Sequence, residues 1–182
     1  MPTFPNSNVA DHRAGNLVVT GFMGTGKTLL GRLLAEQLGY SFLDTDALIE
    51  TEQGTPISNI FQEQGEVYFR RLEQETLARL TQRDCTVIAT GGGTACSAAG
   101  LNLLQRLGPI ICLFSDPETI HARTAQQCHR PLLEGYSDRL QRIRQLLARR
   151  MPFYRQADLM VDVSRRTPRE AVALICSRLP SL

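Results

Sequence analysis

Gly21-Phe22-Met23-Gly24-Thr25-Gly26-Lys27-Thr28 is the stretch that decides the fold. A glycine, four residues and then Gly-Lys-Thr is the spacing of a loop that wraps nucleoside-triphosphate phosphates. Glycines let successive N–H groups turn inward on a phosphate with no Cβ in the way. The helix that follows offers its positive N-terminal end. Lys27 supplies a compact charge, and the Thr28 hydroxyl is a ligand type for Mg²⁺. Lys27 is also the only lysine among 20 cationic residues; the others are all arginine.

The flanks agree. Asn16-Leu17-Val18-Val19-Thr20 reads as a short apolar strand entering the loop. Beyond it, Leu30, Leu33, Leu34 and Leu38 fall on one helical face, and Gly39 is placed to end that helix. Further out, apolar strands are expected at 16–21, 41–44, 86–90, 109–114 and 158–163. Helical patterns fill 27–38, 46–53, 56–64, 66–82, 97–107, 116–125, 138–151 and 168–179. Strand alternating with helix predicts an α/β fold, a parallel sheet with helices on both faces. Thr55-Pro56 and Asp116-Pro117 read as helix starts, each a capping residue before a first-turn proline.

Composition sets the outer limits. At 182 residues, 42% hydrophobic and 21% charged, the chain suits one cored domain, expected over 16–182. No apolar run approaches 18 residues, so no membrane-crossing helix is expected. Residues 1–15, with two prolines and two asparagines, read as a flexible tail rather than a signal peptide. The five cysteines are widely spaced with no Cys-x-x-Cys, which favours free thiols in a reducing cytoplasm. The net charge of +2 divides into −5 over residues 1–120 and +7 over 121–182. Few aromatics interleave those arginines, so a pocket wall around a small polyanion is expected rather than a nucleic-acid surface.

Three further clusters carry chemistry. Phe42-Leu43-Asp44-Thr45-Asp46 places two carboxylates just past the second strand, where parallel sheets bind ligands. Asp44 is a candidate for Mg²⁺ or its waters. Asp46 is a candidate to orient or deprotonate an attacking hydroxyl, or to cap the helix it opens. Arg70 and Glu73 share a helical face, so an aimed guanidinium could meet a substrate carboxylate; alone, such a pair is more often a solvated helix surface. Arg150, ahead of Pro152, is read as ending a helix. Gly91-Gly92-Gly93 follows the third strand, and three glycines there suggest a close approach to the backbone, most simply by a ligand. Ala125 to Ser137 has no clear period and contains Arg130, Pro131 and Gly135, as a lid over 125–137 would.

Taken in order, these motifs resemble the shikimate kinase family. The resemblance runs over 16–179, through Asp-Thr-Asp at 44–46, Phe-Arg-Arg-x-Glu at 69–73 and Thr-Gly-Gly-Gly at 90–93. Arg-Pro-Leu-Leu at 130–133, Arg-x-Pro-x-Tyr at 150–154 and Arg-Arg-x-Pro at 165–168 complete it. It implies a three-layer α/β/α fold of the P-loop kinase type, like nucleoside monophosphate kinases, with a five-stranded parallel sheet and a mobile lid. It implies a cytoplasmic monomer that moves the γ-phosphoryl of ATP to the 3-hydroxyl of shikimate, with one Mg²⁺ and no nucleic-acid or membrane partner. Lys27, Asp46 and Arg130 would be catalytic. Gly24, Thr25, Gly26, Lys27, Thr28 and Leu29 would hold ATP, with Arg123, Arg130, Arg166 and Pro168 beside it. Asp46, Arg70, Arg150 and the run Gly91, Gly92, Gly93 would hold shikimate, between helices spanning about 46–82. Thr28 and Asp44 would serve the metal. Leu29 stands where the family usually has a second hydroxyl residue reaching the α-phosphate. Gluconate or nucleotide phosphorylation is the nearest alternative, and a nucleotide-binding module without catalysis is the alternative of another class.

Overall fold

In the computed structural model, residues 15–125, 133 and 136–179 are described. The expected lid, including Arg130, lies mostly outside these residues, as does the tail up to residue 14.

Five parallel strands form one sheet: β1 (Leu17–Gly21), β2 (Ser41–Asp44), β3 (Thr86–Ala89), β4 (Ile110–Phe114) and β5 (Leu159–Asp162). Their order across the sheet is β2-β3-β1-β4-β5. Every pairing is parallel, with Val19 opposite Ala89, Thr20 opposite Cys112 and Asp44 opposite Ala89. Because β1, β3 and β4 are covered on both faces, they read as nearly continuous apolar runs rather than alternating ones. The strand order reverses direction at β1, and the crevice above such a switch is where open α/β sheets take ligands. The phosphate loop leaves β1 at that point.

Seven helices among the described residues cover the sheet: α1 (Lys27–Leu38), α2 (Thr45–Gln53), α3 (Ile57–Leu80), α4 (Ala98–Leu107), α5 (Pro117–Thr124), α6 (Arg139–Tyr154) and α7 (Pro168–Arg178). One face packs Leu30, Leu34 and Ala35 of α1 and Ala171, Val172 and Ile175 of α7 against Val19, Val87, Ile111 and Val161. The other packs Leu77, Leu101, Leu104, Ile143 and Tyr154 against Val18, Ile88 and Cys112. A small separate core of Ile49, Ile60, Phe69 and Leu72 joins α2 to α3, so these helices form a lobe with its own packing.

Three local readings of the sequence need correction. The cap of α2 is Asp44, whose Oδ1 accepts from the N–H groups of Asp46 and Ala47; Asp46 lies inside the first turn and is left for other work. Thr55 does not cap α3: the first free N–H, at Ile57, is taken by the Glu50 carboxylate reaching from α2 at 2.9 Å. Helix α6 does not stop at Arg150 but runs through Pro152 to Tyr154. Pro152 forfeits one backbone bond, yet the buried Tyr154 ring holds the final turn in the core. Arg150 is therefore one turn inside the helix and is no terminal partner for its dipole. The separate helical stretches expected at 56–64 and 66–82 are borne out: α3 breaks at Gly65, whose φ of 79° and ψ of 172° only glycine adopts readily.

Candidate active site

Gly26, at φ 85°, makes the left-handed turn that starts α1, so Lys27 is the first helical residue. The loop's N–H groups and the helix start then face one volume. The Lys27 ammonium donates to the Phe22 carbonyl at 3.1 Å, which folds its side chain back over the loop. Thr25 locks the turn by donating to the same carbonyl at 2.7 Å.

Thr28 and Asp44 meet across the β1 and β2 ends. The Thr28 hydroxyl donates to Asp44 Oδ2 at 2.7 Å. A hydroxyl and a carboxylate oxygen are hard donors of the kind Mg²⁺ accepts while it takes its remaining ligands from water and phosphate. The pair therefore fits the ion, which would offset phosphate charge there.

The three clusters read separately in the sequence line one cavity of about 110 Å³. Its walls include Lys27, Asp46, Arg70, Glu73, Gly91, Gly92, Gly93 and Arg150, with Met23, Phe61 and Phe69 as apolar sides. A wider cavity of about 350 Å³ shares Arg70, Glu73, Gly93 and Arg150 as a wall. Arg70 is fixed from two directions: Glu73 Oε2 takes Nη1, and Glu66 Oε1 takes Nε and Nη2. Burial works against its charge, but the Glu73 and Glu66 carboxylates more than offset that and hold the guanidinium above its ordinary value. Glu73 itself is 2% exposed and also accepts from the Thr94 hydroxyl, so both its oxygens are satisfied without water.

The glycine run is crowded, but by the protein's own groups. A Cβ on Gly91 would meet Glu73 Oε1 at 2.6 Å and Asp46 Oδ1 at 2.9 Å. On Gly93 it would collide with the Arg70 guanidinium, and on Gly92 with the Gly21 carbonyl. None of the three has a positive φ, so space and not backbone conformation demands glycine here. The Gly92 carbonyl accepts from Tyr154 Oη at 2.6 Å and from Arg150 Nη1 at 3.3 Å. The Arg150 guanidinium also lies over the Phe22 ring, 5.4 Å from its centre. Burial, followed by the neighbouring Cys96 thiol, pushes Tyr154 far above its ordinary value, so it stays a neutral donor.

On the other side of the phosphate loop, a cavity of about 250 Å³ gathers Gly24, Thr25, Gly26, Leu29, Arg123, Arg166 and Pro168. Arg123 donates to the Val163 carbonyl at 2.9 Å and the Gly24 carbonyl at 3.5 Å, tying the β5 exit to the loop. Arg166 donates to the Asp162 carbonyl at 2.6 Å. Leu29 contributes an apolar surface that is 54% exposed.

Of the residues singled out in the sequence, all but Arg130 lie in these cavities or at the Thr28–Asp44 contact; Arg130 lies outside the described residues. Thr94 and Tyr154 were missed as working parts. Tyr154 sat in a quoted motif, but nothing in its spacing reveals a bond to a carbonyl 62 residues away.

A family model for shikimate kinase matches residues 23–180. A shikimate kinase from Symbiobacterium thermophilum is 46% identical over 167 residues, which is 90% of this chain and 95% of that protein. The structure of a shikimate kinase from Acinetobacter baumannii in complex with shikimate superposes with a TM-score of 0.89 at 37% identity, covering 94% of this chain and 96% of that one. A gluconokinase from Sinorhizobium meliloti 1021 reaches a TM-score of 0.60 at 20% identity, a likeness of fold alone. With its whole length from the phosphate loop to α7 accounted for in this way, the chain belongs to the shikimate kinase family.

Proposed function

We propose that this chain transfers the γ-phosphoryl of ATP to the 3-hydroxyl of shikimate, and that its two cavities divide the work. The acid occupies the cavity of Arg70, Arg150, Asp46 and Gly91–Gly93. Arg70 and Arg150 hold the shikimate carboxylate, because planar guanidinium forks match a carboxylate and Arg70 is already aimed by Glu66 and Glu73. Asp46 hydrogen-bonds the ring hydroxyls and accepts the proton of the 3-hydroxyl as its oxygen attacks phosphorus. With the Gly92 carbonyl engaged by Tyr154 and Arg150, a Gly92 contact to the acid would come through its N–H.

ATP lies across the loop. The N–H groups of Gly24 to Thr28 and the start of α1 receive its phosphates. Lys27 stabilises charge on the β- and γ-phosphates, and ADP leaves with the bridging oxygen's electrons. Thr28 would hold one Mg²⁺, with Asp44 supporting it through water, and the ion would supply further charge neutralisation. Arg123, Arg166, Pro168 and Leu29 enclose the nucleoside. Arg130 closes with the lid at 125–137, adding a guanidinium to the transferring group and excluding water. The reading takes 16–182 as one kinase domain, a cytoplasmic monomer with 1–15 as a tail; no described helix is long and apolar enough to cross a membrane.

The observation that carries this reading is the convergence of Lys27, Asp46, Arg70 and Arg150 on one cavity beside the phosphate loop. Its test is coupled ADP release with a panel of acceptors. Turnover is expected with shikimate and not with gluconate or nucleoside monophosphates. Turnover with gluconate and none with shikimate would end the assignment, and ATP binding with no turnover on any acid would favour a non-catalytic module.

A further inference from the structure

Three threonine hydroxyls are buried at the carboxyl ends of β1, β3 and β2, beneath the active site: Thr20, Thr90 and Thr45, exposed by 1%, 2% and 1%. None of the three has a hydrogen-bond partner among the described residues. A buried hydroxyl without a partner is costly, and native structures hold few of them. Three together need a common explanation.

Their placement supplies one. Val19 of β1 pairs with Ala89 of β3, and the Thr90 N–H donates to the Val19 carbonyl at 3.0 Å, which continues the pairing one residue further. Thr20 and Thr90 are therefore neighbours in one row. Both stand two residues beyond core residues on the same sheet face, Val18 and Ile88, and so share that face. Asp44 pairs with Ala89 from the other side, which puts Thr45 at the next position of the row. Adjacent strands run about 4.8 Å apart. The Thr20 and Thr90 hydroxyls do not bond each other directly, and the strand spacing is close to the span of one water bonding to both.

We propose that ordered water is bound in this row, one molecule bridging the Thr20 and Thr90 hydroxyls and a second bridging Thr90 and Thr45. A hydroxyl donates and accepts, so each neighbouring pair supplies two of the two to four partners a buried water requires. The ligand is neutral, as the threonine donors themselves are. The position gives it a purpose. Thr20 immediately precedes the phosphate loop, Thr90 precedes Gly91–Gly93, and Thr45 separates Asp44 from Asp46. Water shared along the row ties together the roots of the three segments that hold triphosphate, acid and metal, where the ladder bonds of the sheet end.

The test is a double-mutant cycle with Thr20→Val and Thr90→Val, which keep shape and remove the hydroxyl. Each single variant strips the water of a partner and strands the other hydroxyl, so each lowers Tm by roughly 2–6 °C. The double variant removes both ends and stands above the sum of the two losses. In a dry row the signs reverse, because deleting a partnerless buried hydroxyl stabilises. Singles with an unchanged or raised Tm, or losses that simply add, would overturn the proposal. A high-resolution crystal structure of the unmodified enzyme is the second readout. Density within hydrogen-bond distance of both Oγ atoms is expected. An empty row, or a peak that follows exchange of K⁺ for Rb⁺, would refute bound water.

Discussion

At the residue scale the site rests on charges aimed before substrate arrives. Arg70→Ala removes a fork held by two glutamates, so it should weaken shikimate by about 2–4 kcal/mol in kcat/KM while leaving the KM for ATP nearly unchanged. An unaltered shikimate KM would remove Arg70 from the carboxylate. The same change strands Glu73, a buried carboxylate left with only Thr94, so a fall in Tm is expected as well. Asp46→Asn should lower kcat by at least about 10²-fold, the scale of lost acid–base help, with little change in Tm because the cap of α2 is Asp44. A near-normal rate would show that Asp46 only orients its hydroxyl. At this scale the sequence was informative about identity and silent about pairing. Arg70, Glu73 and Asp46 stood out by type and spacing. That Glu73 also receives Thr94, and that Tyr154 and Arg150 share the Gly92 carbonyl, depends on contacts between distant segments.

At the element scale, periodicity placed the strands within a residue or two, because long apolar runs between two helical layers leave a strong signal. Helix ends were harder, since a cap can come from elsewhere, as Glu50 does for α3, or be overruled by packing, as Tyr154 overrules Pro152. Gly65 is the sharpest case. Nothing lies within 4 Å of a Cβ built there, so Gly65→Ala meets no steric contact; its backbone angles alone should cost about 1–3 kcal/mol, measurable by urea unfolding. A stability equal to the parent's would mean that the interruption of α3 relaxes away. Three carboxylates at element ends set the acid limit. Hydrogen bonds from the Thr119 N–H and hydroxyl hold Asp116 below its ordinary value, the Ser164 hydroxyl does so for Asp162, and the Thr167 N–H and hydroxyl do so for Glu170. Their contribution is complete above the unfolded values, 3.8 for Asp and 4.5 for Glu, and disappears as pH falls through the lower folded ones. Tm should therefore be level near pH 6 and drop below about pH 4; a Tm unchanged down to pH 3 would contradict these bonds.

At the scale of the whole molecule, the phosphate loop and the alternation of strand and helix were enough to reach a parallel three-layer sheet with its site at the β1 switch. What they could not give was the presence of two cavities on either side of the loop, proposed here for the acid and the nucleoside, since each is assembled from segments more than 100 residues apart. That proposed division is the central claim. A crystal structure with ADP and shikimate bound tests it most directly. The account predicts the acid's carboxylate between Arg70 and Arg150, its 3-hydroxyl at Asp46, and the adenine between Arg123 and Pro168. Shikimate bound elsewhere, with its carboxylate away from both arginines, would contradict it.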